Sequence, residues 1–296
     1  YGLGRSFGVD AVRVTERLQS HWVNVYYRHP ANRWLQRANP RHRTLIDLER
    51  TIYRSAAVRR IVTQSSRDRH LLSRYYGVPD EKICTIYNGV NTSVFHPGVR
   101  RGAAQVRDAL GILPGVPLLV FASMDFEGKG LRSIFAAMAR SRYSSSRLLV
   151  LGTGPVSRFR RLAREAGLGE RVIFAGRQSE IQRVYGAGDL FLLPTAYEPF
   201  PNVNLEAMAC GLPVVTTTTN GVAEVITEGH NGYLIASVDA VDEMASAIDR
   251  HLSLASEKRE QMSAACWETA GGMTVEKNVQ HTLDRFQEGL REKFRV

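Results

Sequence analysis

No run of eighteen apolar residues occurs in the 296-residue chain, so no segment reads as a membrane-crossing helix. Cysteine is scarce: Cys84, Cys210 and Cys266 are far apart and odd in number. They form no Cys-x-x-Cys pair and no His/Cys cluster at zinc spacing, which leaves plain thiols in a reducing compartment. No Asp-x-Asp pair is present, and Asp125-x-Glu127 is a poor substitute, so no metal site is expected. Helix-turn-helix, zinc-finger and RNA-stacking motifs are also lacking. Charge alone would then argue for nucleic acid, which is not among the expected partners. Internal repeats and low-complexity stretches are absent.

Acidic residues are scarce in one part only. Residues 1–110 hold 19 Lys and Arg against 8 Asp and Glu, while the remaining 186 hold 20 against 21. The formal charge of +10 therefore comes entirely from the N-terminal part, which suggests an anionic partner for one face of the molecule. Apolar residues at 44% and charged residues at 23% are ordinary for a globular protein, and the length allows two domains.

From Pro117 onward, short apolar runs alternate with helix-period segments. Strands are expected at Leu118–Ala122, Arg147–Leu151, Val172–Ala175, Leu190–Leu193, Pro213–Thr216 and Tyr233–Ile235. Helices are expected near 130–141, 156–166, 180–187, 203–210, 221–227 and 239–252. This alternation predicts a parallel sheet with helices on both faces, a Rossmann-like domain over about 115–274. Residues 1–98 are less regular. Helical patterns run through 43–57 and 66–76, with strands at Arg60–Thr63 and Ile83–Tyr87, before His96-Pro97-Gly98 breaks the chain. A full doubly wound domain has five or six strands, so this first domain is expected to be incomplete. Residues 275–296 form a third segment. Val275, Val279, Leu283, Phe286 and Leu290 predict an amphipathic helix there, packing back toward the first domain.

The most informative stretch is Glu198-Pro-Phe-Pro-Asn-Val-Asn-Leu-Glu206, followed by Ala-Met-Ala-Cys-Gly-Leu-Pro. It falls where the 190–193 strand ends and a helix begins, the edge of a parallel sheet at which ligands bind. Pro199 and Pro201 hold the loop extended, and Asn202 is expected to cap the helix. Free amides at such a terminus favour an anion, here a diphosphate or the hydroxyl-rich sugar attached to it. Glu198 and Glu206, as acceptor-only groups, suit sugar and ribose hydroxyls. A lone Glu-x7-Glu pair would more often be a surface pair; the setting makes it specific.

This stretch resembles the retaining family-4 glycosyltransferases. The resemblance continues in Ile86-Tyr-Asn-Gly-Val-Asn-x-x-x-Phe-x-Pro97, Lys129-Gly130, Leu151-Gly-x-Gly154 and Gly221-x-x-Glu224, over roughly residues 58–250. It implies a GT-B fold, two Rossmann-like α/β domains facing across a cleft, and a nucleoside-diphosphate sugar, UDP- or GDP-hexose, as substrate with no cofactor. Glu206 would bind the donor ribose. Glu198 would hold the transferred sugar, with amides from Phe200 to Val203. Lys129 would neutralise the leaving diphosphate. Gly152, Gly154 and Arg177 resemble the nucleotide-base contacts, although Arg177 reads equally as a surface charge.

One departure matters. Many family members carry Gly-Arg at the strand end before the Lys, where this chain has Ser123-Met124. Asp125-Phe126 and Lys129-Gly130 are instead similar to the branch containing lipopolysaccharide-core glucosyltransferases. Some of those place an Arg directly before the Lys, where Gly128 stands here. A second cation on the diphosphate is therefore missing from this loop.

Residues 17–54 hold eight Arg and two acids, Asp47 and Glu49. Trp22, Tyr26, Tyr27 and Trp34 are interleaved with Arg28, Arg33, Arg37, Arg41 and Arg43. Two readings stand: an interface with anionic lipid or a phosphorylated glycolipid, or a partly buried helix pair with a solvated Arg face. The resemblance implies a glycolipid or oligosaccharide acceptor and a cytoplasmic protein peripheral at the inner membrane face. Glu16 lies roughly where related enzymes place an acidic residue near the acceptor, so it joins Glu198 and Lys129 as a catalytic candidate, against the plainer reading of a surface Glu. Rival readings are a glycoside hydrolase or epimerase using Glu198 and Glu206 as a pair, and a fragment that only binds nucleotide sugar.

Overall fold

In a computed structural model, which describes residues 1–27 and 29–293, ten parallel strands form two separate sheets. Arg28 of the basic stretch and the side chain of Leu290 lie outside the described residues. The first sheet runs in chain order: β1 (Gly2–Leu3), β2 (Ala11–Arg13), β3 (Arg60–Thr63) and β4 (Ile83–Thr85). Only β3 and β4 were legible, because β1 and β2 are two and three residues long, too short for a periodic signal. Three helices fill the connection from β2 to β3: α1 (Gln19–Tyr26), α2 (Pro30–Ala38) and α3 (Pro40–Arg54). The pattern placed α3 at 43–57. It starts earlier because the Asn39 side chain accepts from the Arg41 amide and Pro40 occupies the first helical position. After β3, α4 (Ser66–Tyr76) begins under a Ser65 cap and ends at left-handed Gly77.

The second sheet has the order β10-β9-β8-β5-β6-β7. Its strands are β5 (Leu118–Ala122), β6 (Arg147–Leu151), β7 (Val172–Gly176), β8 (Leu190–Leu193), β9 (Val214–Thr217) and β10 (Gly232–Ile235). Every expected strand is present within about one residue. Strands such as Leu118–Ala122 are buried along their whole length, which is why they read as continuous apolar runs. The helices are α5 (Ala103–Ala109), α6 (Leu131–Arg140), α7 (Val156–Glu165), α8 (Ile181–Ala187), α9 (Asn202–Ala209), α10 (Val241–Leu252), α11 (Ser256–Gly271) and α12 (Val275–Lys293). The helix expected at 221–227 is a 3-10 turn, Gly221–Val225. Asn220 starts it by accepting from the Val222 amide, and Gly221 approaches Pro199 so closely that a Cβ would lie 1.6 Å from its carbonyl oxygen.

Each sheet has its own hydrophobic core. The loop after β8 enters both. Phe200 belongs to the core of the second sheet, whereas Tyr197 is buried in the core of the first, edge-on to the His21 ring at 4.7 Å. The Tyr197 hydroxyl donates to Asp68 Oδ1 on α4 at 2.8 Å. Burial raises the Asp68 carboxyl to about 7, against this hydrogen bond and the Arg67 charge. A second bridge runs from Glu224, whose oxygens accept from the amides of Ser66 (2.9 Å) and Arg67 (2.8 Å) and from the Tyr87 hydroxyl (2.8 Å). Helix α12 returns to the first sheet. Asn278 donates to the Tyr87 carbonyl, Arg13 Nη1 lies 3.5 Å from Thr282 Oγ1, and Phe286 packs edge-on to Tyr1.

Tyr197→Phe would strand Asp68 in a buried site without its donor. We expect a loss of about 1–3 kcal/mol in urea unfolding at pH 8. An unchanged midpoint would contradict the bridge.

Candidate active site between the two sheets

A cavity of about 770 Å³ opens between the sheets. Arg13, Thr15, Gln64 and Asn88 line it from the first domain; Ser123, Met124, Lys129 and the segment from Glu198 to Val203 line it from the second. The second group stands at the carboxyl ends of β5 and β8, where strand-to-helix loops leave a parallel sheet.

Glu198 is the charge centre. Its Oε2 accepts from Lys129 Nζ, at the start of α6, and from Arg17 Nε at 2.9 Å, on the loop between β2 and α1. Arg17 Nη2 also lies 3.6 Å from Asp125 Oδ2, and its guanidinium sits 4.2 Å above the Trp22 ring. Burial alone would raise the Glu198 carboxyl, but Lys129 and Arg17 outweigh it and hold it below its ordinary value. Burial lowers the Lys129 ammonium from its ordinary range, and Glu198 opposes that shift. The arrangement keeps an ionised carboxylate and two cations in a half-closed, poorly solvated place.

The start of α9 differs from expectation. Asn202 is the first helical residue rather than the cap; Pro201 precedes it, and no side chain caps the helix. The Asn202 Oδ1 instead accepts from Asn88 Nδ2 at 2.6 Å, and Asn88 also reaches the Phe200 carbonyl at 3.1 Å. Arg13 in turn donates to Asn88 Oδ1 at 3.1 Å. The side chain that could have capped α9 thus ties it to the first domain, and the first-turn residues Asn202 and Val203 line the cavity. Pro199 lies against Gly221, and Pro201 and Val203 line the cavity wall.

Four of the anticipated residues lie beside the cavity rather than on it. Gly152 follows β6 at φ +101°, and a Cβ there would stand 1.9 Å from the Ser123 carbonyl oxygen. It lets the ends of β5 and β6 close together and so sets Ser123. Gly154 packs against the Phe126 ring. Arg177 is exposed, with Nη2 3.5 Å from the Met124 sulfur. Glu206 is half-buried one turn into α9, and among the described residues its carboxylate has no hydrogen bond or ion pair; burial raises it to about 7.

A retaining hydrolase needs two carboxyl groups about 5–5.5 Å apart flanking one bond. Here Glu198 lines the cavity and Glu206 does not. Glu16 is not on the cavity wall: it is 54% exposed and its carboxylate pairs with Arg5. Its neighbour Arg17, counted only as one of the basic residues, is the side chain that reaches the centre. Asp125 accepts from the Gly128 amide at 2.9 Å and faces Arg17, while Glu127 pairs with Arg132 and Arg158.

Comparison with known proteins agrees with this geometry. Residues 8–94 match the family model Glycosyltransferase Family 4, and residues 116–253 match Glycosyl transferases group 1. The chain is 32% identical over 244 residues to a D-inositol 3-phosphate glycosyltransferase from Mycobacterium marinum, covering 79% of this chain and 51% of that protein. An N-acetyl-alpha-D-glucosaminyl L-malate synthase from Bacillus anthracis is 32% identical over 158 residues, covering 53% of this chain and 41% of that one. The chain thus spans about half the length of the curated relatives it matches. Among solved structures, WaaG, a glycosyltransferase involved in lipopolysaccharide biosynthesis, superposes with a TM-score of 0.82 at 22% identity, covering 96% of this chain and 76% of that one. A HepE protein from Anabaena in complex with UDP-glucose gives 0.73 at 20%, covering 94% and 72%. At those identities the structures establish the fold, and the two family models the likeness: this chain has the GT-B fold and resembles the family-4, group 1 glycosyltransferases along both of its domains.

Proposed function

We propose that the cavity binds a nucleoside-diphosphate hexose and that the protein transfers the hexose, with retention, to a glycolipid or oligosaccharide acceptor. The observation that carries this reading is the convergence of Lys129, Arg17 and Glu198 beside the uncapped start of α9. Bond breaking at the sugar places negative charge on the departing diphosphate, and a buried cation with oriented amides lowers its energy without waiting for solvent to reorganise. Glu198, kept ionised, accepts from hydroxyls of the transferred sugar. Glu206, without a protein partner, accepts from the ribose. Protein cations and dipoles do here what a metal ion does elsewhere. No carboxylate is placed as a nucleophile, so attack and departure would share one face of the sugar. UDP and GDP are the favoured nucleotides, and a fold relative solved with UDP-glucose supports the first. Gly152, Gly154 and Arg177 are assigned to the base side, and Glu16 takes no step.

A further observation favours a membrane-associated acceptor. Helix α2 buries none of its residues and exposes Trp34 (75%) and Leu35 (58%) between Arg33 and Arg37. Trp22 and Tyr26, by contrast, stack on each other at 4.5 Å, so the basic stretch is two surfaces rather than one. We infer that α2 rests on anionic lipid.

Two measurements test these assignments. In titrations, Glu206→Ala should weaken both free nucleotide and nucleotide sugar, whereas Glu198→Ala should spare free nucleotide within about twofold and weaken the nucleotide sugar about 10–100-fold, the worth of a charged hydrogen bond. Equal losses for both ligands in both variants would reject the division. In co-sedimentation with phosphatidylglycerol vesicles, Trp34→Ala with Leu35→Ala should reduce binding about tenfold or more. Undiminished binding would remove α2 from the account.

A further inference from the structure

In the loop from Ser123 to Gly130, Lys129 lines the cavity, Asp125 faces Arg17, and Glu127 is paired with Arg132 and Arg158. Lys129 is already spent: it holds the Glu198 carboxylate. If a diphosphate with two negative charges entered beside that pair, the second domain alone would face it with no net positive charge. Anions crowded in a poorly solvated place repel strongly, so a further cation is needed within contact distance.

The first domain supplies one. Arg17 Nε shares the same Glu198 oxygen with Lys129, and Nη1 has no partner among the described residues. The arginine is held in place from behind. Its guanidinium rests on Trp22, and its backbone carbonyl accepts from Arg5 Nη2 at 3.2 Å. Arg5 is itself fixed at 2.7 Å by Glu49, a carboxylate only 1% exposed that also accepts from the Tyr76 hydroxyl and the Gln19 amide. Ordering this side chain is therefore done by folding rather than by ligand binding.

Resting on the reading above, we propose that Arg17 is the second cation of the nucleotide-sugar site, delivered from the opposite domain. When Lys129 turns to the diphosphate, Arg17 keeps Glu198 ionised and offers its free guanidinium edge to the phosphate oxygens. The site then reaches charge balance only because the two domains meet at Glu198.

The test is titration of wild-type protein, Arg17→Ala, Arg17→Lys and the double variant Arg17→Ala/Met124→Arg with uridine, UDP and UDP-glucose, and with the guanosine, GDP and GDP-glucose set. Met124 lines the cavity and is 66% exposed, so an arginine there can restore the charge from the second domain without disturbing a core. Arg17→Ala should weaken the diphosphate and its sugar about tenfold or more while leaving the nucleoside within about twofold. Arg17→Lys and the double variant should recover most of that loss, and the loss should shrink in high salt. Unchanged diphosphate binding in Arg17→Ala overturns the role, as does an equal loss for the nucleoside that Met124→Arg fails to restore. If wild-type protein binds neither set, the reading of the site fails and this role with it.

Discussion

Tyr197 and Phe200 are three residues apart and sit in different hydrophobic cores. The chain between them cannot move with one domain alone, so Glu198 is fixed relative to both. Everything that touches its carboxylate depends on this. Lys129 comes from the loop before α6, Arg17 from the loop after β2, and they meet on one oxygen because the Tyr197–Phe200 segment presents it at the domain junction. Asn88 adds a second tie, binding the start of α9 to the first domain.

The two carboxylates of the Glu-x7-Glu stretch are given opposite characters by their surroundings. Glu198 is half-buried and paired, and its cations hold it ionised; Glu206 is half-buried with no partner among the described residues, and burial raises it to about 7. A carboxylate already satisfied by cations can exchange one of them for a ligand. One that has no partner gains its first hydrogen bonds from a ligand, and so should contribute more per contact. The proposed separate roles on sugar and ribose rest on that difference.

Much of this was legible in the residues. The second sheet was readable because its strands are buried on both faces and therefore continuously apolar; Glu198 and Phe200 stood out in a motif compact in sequence, while Lys129, 69 positions from Glu198, entered only through the family resemblance. The first domain was less so, since β1 and β2 offer only two and three residues; in the second, α11 was missed because it buries mainly small or soft side chains such as Ala265, Cys266 and Ala270. Arg17 was hidden for another reason: its partner is 181 positions away, and only domain packing brings them together. Asn202 misled because a helix-start Asn commonly caps, while here Asn88 competes for its side-chain oxygen and wins.

The most direct measurement is calorimetric titration of the protein with UDP, GDP and ADP, with and without Mg²⁺, from pH 5.5 to 8.5. Glu206 with a carboxyl near 7 is protonated below that pH and is lost as a hydroxyl acceptor; binding of ribose lowers its pKa, so affinity should rise with pH and level off above about 7. The nucleotide's own terminal phosphate titrates in the same range and contributes equally to both proteins, so the part due to Glu206 is the wild-type rise in excess of that of Glu206→Gln, no more than about tenfold per pH unit. Saturable binding of one nucleotide with that profile, indifferent to metal, is the predicted result. No binding of any nucleotide at any pH, or a wild-type profile identical to that of Glu206→Gln, would contradict the account.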